Sequence, residues 1–263
     1  MHLHKKYLAI NFVKNILLIG LFALLLVTGT AIMLTYPHSL NLANNQHYYN
    51  VYAIVEQPVK NETKDLSLDN LIQQGSPYLG NASTAPVTII DFSDFQCYLC
   101  ARYVKTTEPI IKEEYIDTGK VVLVFKHLPN RGFDSMEASI AAQCANEQKK
   151  FWDFHKLLYE NQKPIDSGWV NKENLKKFAT MIHGLNMDKF DVCLDSSKSK
   201  SFVENDIELG SSFGFQDTPS FVIVNSKDGS NPEILEGAHP FPSFKAIIDR
   251  KLSEMKNESR NEA

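Results

Sequence analysis

Apolar and polar positions along this chain follow two different periods. VTIIDF (87–92) and KVVLVFKH (120–127) are short, nearly unbroken apolar runs, the pattern of strands buried on both faces. Between them Tyr103, Ile110, Ile111 and Tyr115 recur at helical spacing, which predicts a helix from Tyr98 to Asp117. Gly119 is its stop signal and Pro109 predicts a kink within it. Strand, helix and strand in that order predict a βαβ unit with right-handed parallel pairing. Residues 134–195 then read as helical, through SMEASIAAQCANEQ, FWDFHKLLYENQ, NKENLKKFATMIHG and MDKFDVCLD. SFVIVN (220–225) predicts a third strand after Pro219. EILEGA (233–238) predicts a fourth, its hairpin partner across the Asp228-Gly229 turn. A last helix is expected over 242–256. The order β-α-β, helical block, β-β-α places the chain in the α/β class.

The first 75 residues follow other rules. ILLIGLFALLLVTGTAIMLTY (16–36) carries no charge and matches the roughly 20 apolar residues needed to cross a bilayer core. Lys5, Lys6 and Lys14 precede it, so residues 1–15 are expected to stay cytoplasmic and everything after residue 36 to lie outside. The run exceeds the apolar core of about 7–15 residues in a cleaved signal peptide, and Thr28-Gly29-Thr30 is a poor cleavage site. The expectation is a single N-terminal transmembrane anchor. Residues 37–75 are polar and aperiodic, a spacer with one short helix near 67–74 capped by Ser67. The globular domain is expected over 76–257, with a polar tail at 258–263. Asn61, Asn81 and Asn257 lie in Asn-x-Ser/Thr triplets that export would make available to glycosylation. The net charge of -4 is mild, and no basic cluster interleaves with aromatics, so nucleic acid is not an expected partner.

DFSDFQCYLC (91–100) carries the chemistry. Cys97 falls where a strand gives way to a helix, so unpaired backbone N–H groups and the positive end of the helix dipole favour its thiolate. Cys100 lies one turn deeper on the same face, close enough to bridge. A zinc site would need two more ligands, and Cys144 and Cys193 form no second Cys-x-x-Cys. Redox exchange is therefore preferred to a metal site or a structural bridge here, with no cofactor required. With the domain outside the membrane, the parsimonious partner of Cys144 is Cys193; two buried free thiols are the alternative. Phe151, Trp152, Phe154 and Tyr159 read as core, His127 and His155 as bystanders, and Lys126 as a surface cation.

Four landmarks in order and spacing resemble the DsbA-like thioredoxin-fold oxidoreductases, in their membrane-anchored bacterial and archaeal branch. They are YLGNASTAPVTIIDFSDFQCYLC, FKHLPN, AAQCANEQKKFWDFHKLLYENQ and DTPSFVIVN. The resemblance implies a thioredoxin fold with a helical insertion at about 134–195. It implies that Asp91 is the buried acid that takes the proton of Cys100, the alternative being a structural acid. It implies a cis peptide at Thr218-Pro219, with the Thr218 backbone pairing with an extended substrate. Its substrates would be exported cysteine-containing proteins, and its redox partner a membrane protein of the DsbB or vitamin K epoxide reductase-like type. One departure stands out. Tyr98-Leu99 replaces the Pro-His of strongly oxidising members, so a milder oxidant is expected, with a reductase or isomerase, or a redox-inactive peptide-holding chaperone, as the rival readings.

Overall fold

The computed structural model describes residues 65–261; the anchor expected at 16–36 and most of the spacer lie outside the described residues. Among the described residues no helix is long and apolar enough to cross a membrane. Ser67 caps helix α1 (Leu68–Gln73), its hydroxyl accepting from the Asn70 N–H. The strands are β1 (Tyr78–Leu79), β2 (Val87–Ser93), β3 (Val121–His127), β4 (Ser220–Asn225) and β5 (Glu233–Glu236). They form one mixed sheet in the order β1-β3-β2-β4-β5. β2 and β3 run parallel, and every other neighbouring pair is antiparallel.

The two central strands are buried along their whole length, as their unbroken apolar runs require. Strict alternation sorts their side chains onto two faces. Val87, Ile89, Val121 and Leu123 pack with Tyr103, Ile111, Tyr115 and Phe244 on one face. Ile90, Phe92, Val122 and Val124 pack with Leu68, Leu71 and Leu209 on the other. Each such side chain, fully withdrawn from water, contributes about 1.5–3 kcal/mol.

The helix expected over 98–117 is broken into three. α2 (Tyr98–Thr106) ends at Thr107, α3 (Glu108–Ile111) restarts with Pro109 in its first turn, and a π-helical turn (Lys112–Ile116) follows. Proline has no N–H to continue the ladder but suits a helix start, so Pro109 divides the helix instead of bending it. The helical block also extends past residue 195. It comprises α4 (Asp134–Asn146), α5 (Phe151–Glu160), α6 (Lys172–Thr180), α7 (Met187–Leu194) and α8 (Ser197–Ser212), followed after β5 by α9 (Phe241–Asn261). α8, rich in serine and charge, lacks a strong apolar stripe in sequence, yet it covers the β3 face with Val203 and Leu209. β1 is only two residues long and pairs with Leu123 and Val124 at the edge of the sheet.

α8 also corrects the reading of Lys126. Lys126 is 2% exposed, and its ammonium donates to Asp206 of α8 at 2.8 Å. The other Asp206 oxygen accepts from the His127 N–H at 2.9 Å. Alternation puts Lys126 on the opposite face of the sheet from Asp91, which is paired in register with Phe125. The two therefore never meet.

Candidate active site

The site assembles at the C-terminal ends of β2 and β3, where three loops converge. Cys97 is the N-cap of α2 with extended backbone, and its sulfur accepts from the Cys100 N–H at 3.4 Å. The sulfur also lies 3.1 Å from the carbonyl oxygen of Thr218, to which its thiol form donates. The Thr218-Pro219 peptide is cis, and the Pro219 carbonyl accepts from Gly237 N–H at 2.7 Å across the start of the β4–β5 pair. Both cysteines are free thiols in this structure. Cys97 is 3% exposed and Cys100 is fully buried.

Their surroundings push the two thiols in opposite directions. Cys97 falls to about 5: the Cys100 thiol donates to its thiolate, and the Thr218 side chain, the Cys100 N–H and Arg131 add to this against the cost of burial. Cys100 rises well above the usual thiol range, through burial first and then the negative charge of Cys97. One thiol is thus a ready nucleophile and leaving group, and the other holds its proton.

Asp91 lies beneath them on β2, 1% exposed. One carboxylate oxygen accepts from the Ser93 hydroxyl, two residues along the same face, and the other has no hydrogen-bond partner among the described residues. Burial raises its pKa to about 7, with the Cys97 thiolate adding to the rise. Asp91 is thereby poised to exchange a proton near neutrality. Glu108, at the start of α3, is a second buried carboxyl nearby. Burial, then the charge on Asp91, raises it to about 8.

Among the described residues, Cys144 and Cys193 form a disulfide, with Cα atoms 5.7 Å apart. The bond ties the last turn of α4 to the last turn of α7. His127 and His155 are buried in an aromatic cluster around Phe95, Phe125 and Phe151 and serve neither cysteine.

Residues 73–250 match the sequence profile of a family described as Thioredoxin. The probable disulfide bond formation protein D of Bacillus cereus is 31% identical over 205 residues, covering 77% of this chain and 90% of that protein. Disulfide bond formation protein D of Bacillus subtilis is 27% identical over 68% of this chain and 78% of that one. Among solved structures, alpha-DsbA1 of Wolbachia pipientis superposes with a TM-score of 0.60 at 25% identity, over 78% of this chain and 97% of that one. Oxidised BdbD of Bacillus subtilis gives 0.61 at 27% identity, over 68% and 94%. The chain belongs to the DsbA-like thiol-disulfide oxidoreductases. It is a protein-disulfide oxidoreductase with a thioredoxin fold.

This DsbA-like site has a frame that motif reasoning did not find. Asp94, fully buried, accepts four hydrogen bonds: from the N–H groups of Gln96, Asn130 and Arg131, and from the Ser135 hydroxyl, at 2.7–2.8 Å. It joins the loop before Cys97 to the loop after β3. Asn130 then reaches the third loop, donating to the Gln216 carbonyl at 3.0 Å and accepting from the Thr218 hydroxyl at 3.3 Å. Gln162, just past α5, donates to the carbonyls of Phe95 and Cys97 at 2.8 and 3.0 Å. The available signal was local: an Asp two residues before Gln96, in a segment leaving a strand, is the usual start of an Asx turn.

Proposed function

We propose that this oxidoreductase forms disulfides in exported proteins, held by residues 16–36 to a membrane with its thioredoxin domain on the extracytoplasmic side. The observation that carries the oxidising direction is the environment of the Cys97 sulfur. A thiolate held to about 5 is a good leaving group, so a disulfide made through it is readily passed on. In the working direction a substrate thiolate attacks Cys97 of the Cys97–Cys100 disulfide. That bond breaks, a mixed disulfide forms, and Cys100 leaves and takes a proton, with the Asp91 carboxyl as donor. A second substrate thiolate then attacks the substrate sulfur of the mixed disulfide. The substrate gains its disulfide, Cys97 departs as thiolate, and the protein holds two electrons more. A membrane oxidase of the DsbB or vitamin K epoxide reductase-like type would accept those electrons. Attack by the Cys97 thiolate on a partner disulfide, resolved by Cys100, is the same path reversed. Thr218 and Pro219 would hold the substrate as an extended segment beside Cys97.

The test is the reduction potential, measured by equilibrating the full chain with glutathione buffers and trapping free thiols. A value well above the approximately -270 mV of thioredoxin supports the oxidase. A value at or below it overturns the direction and favours a reductase.

A further inference from the structure

Tyr98-Leu99 supplies no charge to the thiolate: Tyr98 is 73% exposed and the Leu99 side chain has no polar atom. The structure brings a cation from elsewhere. Arg131 follows β3, and its N–H is fixed by Asp94 at 2.7 Å. Its guanidinium bonds Asp217 at 2.7 Å. Asp217 is the residue before Thr218, whose carbonyl oxygen is 3.1 Å from the Cys97 sulfur. Backbone and side chain of Arg131 are therefore both anchored, one to the Cys97 loop and one to the cis-proline loop. Among the described residues, the titratable groups coupled to Cys97 are Cys100, Asp91, Tyr159 and Arg131, and Asp217 pairs with Arg131. Of these, Arg131 alone is cationic. Attraction runs both ways: the Cys97 charge raises Arg131, and Arg131 lowers Cys97.

We propose that Arg131 is the thiolate-stabilising cation of this site, that it fills the role left empty by the Tyr98-Leu99 dipeptide, and that it makes the Cys97–Cys100 pair more oxidising than that dipeptide alone would. Asp217 orients the guanidinium and moderates its charge, so the Arg131–Asp217 pair is the adjustable part of the site. The proposal rests on thiol–disulfide chemistry at Cys97 and not on its physiological direction. Arg131 is partly solvated, so its effect is that of a screened ion pair, worth about 1 kcal/mol, or roughly fivefold.

The experiment titrates the Cys97 thiolate by its ultraviolet absorbance and by alkylation rate, and measures the glutathione equilibrium, in Arg131→Gln and Arg131→Lys. In Arg131→Gln the acidity of Cys97 should fall about fivefold. The equilibrium should then shift by the same factor towards retaining the disulfide, which is about 20 mV lower in potential. Arg131→Lys should restore most of both. Neither substitution removes the N–H that Asp94 holds, and circular dichroism checks folding. In the unmodified protein, raising salt from low to about 1 M should weaken Cys97 acidity, and in Arg131→Gln it should not. An unchanged Cys97 titration in Arg131→Gln, a lysine variant no better than the glutamine one, or a salt-independent wild type would overturn the proposal. A low absolute potential would overturn only the oxidase direction, since the difference between variants is read independently of it.

Discussion

The four cysteines of this protein share one apolar cluster, yet they form two pairs with opposite chemistry. Cys97 caps the start of α2, where backbone N–H groups and the helix dipole present positive charge. Cys144 and Cys193 lie in the last turns of α4 and α7, where the negative end of the helix dipole opposes a thiolate. Cys97 also has Arg131 beside it and Asp91 beneath Cys100, whereas the second pair's polar neighbour is the neutral hydroxyl of Ser199, 3.1 Å from Cys193. Burial is common to both. What differs is which end of a helix holds the sulfur, and whether charge and a proton donor accompany it.

The largest effect should come from deleting one sulfur from each pair. Cys97→Ser should reduce disulfide exchange on a model dithiol peptide to background, while the double variant Cys144→Ser with Cys193→Ser keeps most of the rate. Comparable losses in both would erase the distinction. Stability should sort the pairs the other way. The Cys144–Cys193 bond spans 49 residues, and removing it should cost about 4 kcal/mol in the chain-entropy model. The Cys97–Cys100 bond closes so short a loop that the same model gives about 2 kcal/mol, from which the stabilisation of the Cys97 thiolate in the dithiol form is subtracted. Denaturant unfolding of oxidised, singly reduced and fully reduced protein measures both. The smallest effect sharpens the comparison at Asp91. Its folded pKa, about 7, lies above the unfolded value, so ionising it costs stability as pH rises from about 4 through 7. Asp91→Asn should thus match the parent in stability below pH 4 and exceed it above pH 8. Its release of Cys100 should slow, with altered pH dependence between about 6 and 8 in quenched-flow assays. Unchanged release across that range would leave Asp91 a structural acid.

Much of this was legible in the chain because it depends on short-range pattern. β2 through β5 followed from runs of apolar residues, and the nucleophile from a strand-to-helix junction. Alternation also contained an answer left unread: Asp91 and Lys126 occupy opposite parities of paired strands, which forbids their contact. What escaped was long-range. Asp206 lies 80 residues from Lys126, and Asp217 lies 86 from Arg131. The role of each depends on α8 and on the loop that follows it. α8 buries a narrow stripe under a polar surface, so its apolar positions show no strong period. The Asp94 frame joins three loops, and loop-to-loop pairing leaves no period to detect.

The cap position of Cys97 ties its chemistry to the cohesion of the fold. In the dithiol form the thiolate accepts from the first turn of α2, and its folded pKa lies below the unfolded one. By linkage, the stability this contributes is complete above the unfolded pKa, declines as pH falls, and is gone below about 5. In the disulfide form the sulfur cannot ionise and contributes nothing of this kind. The melting temperature of the dithiol therefore rises relative to that of the disulfide as pH rises from about 5. Whatever makes the pair a stronger oxidant enlarges that relative rise, so its oxidising strength is written into a comparison of two melting curves, with neither substrate nor partner present.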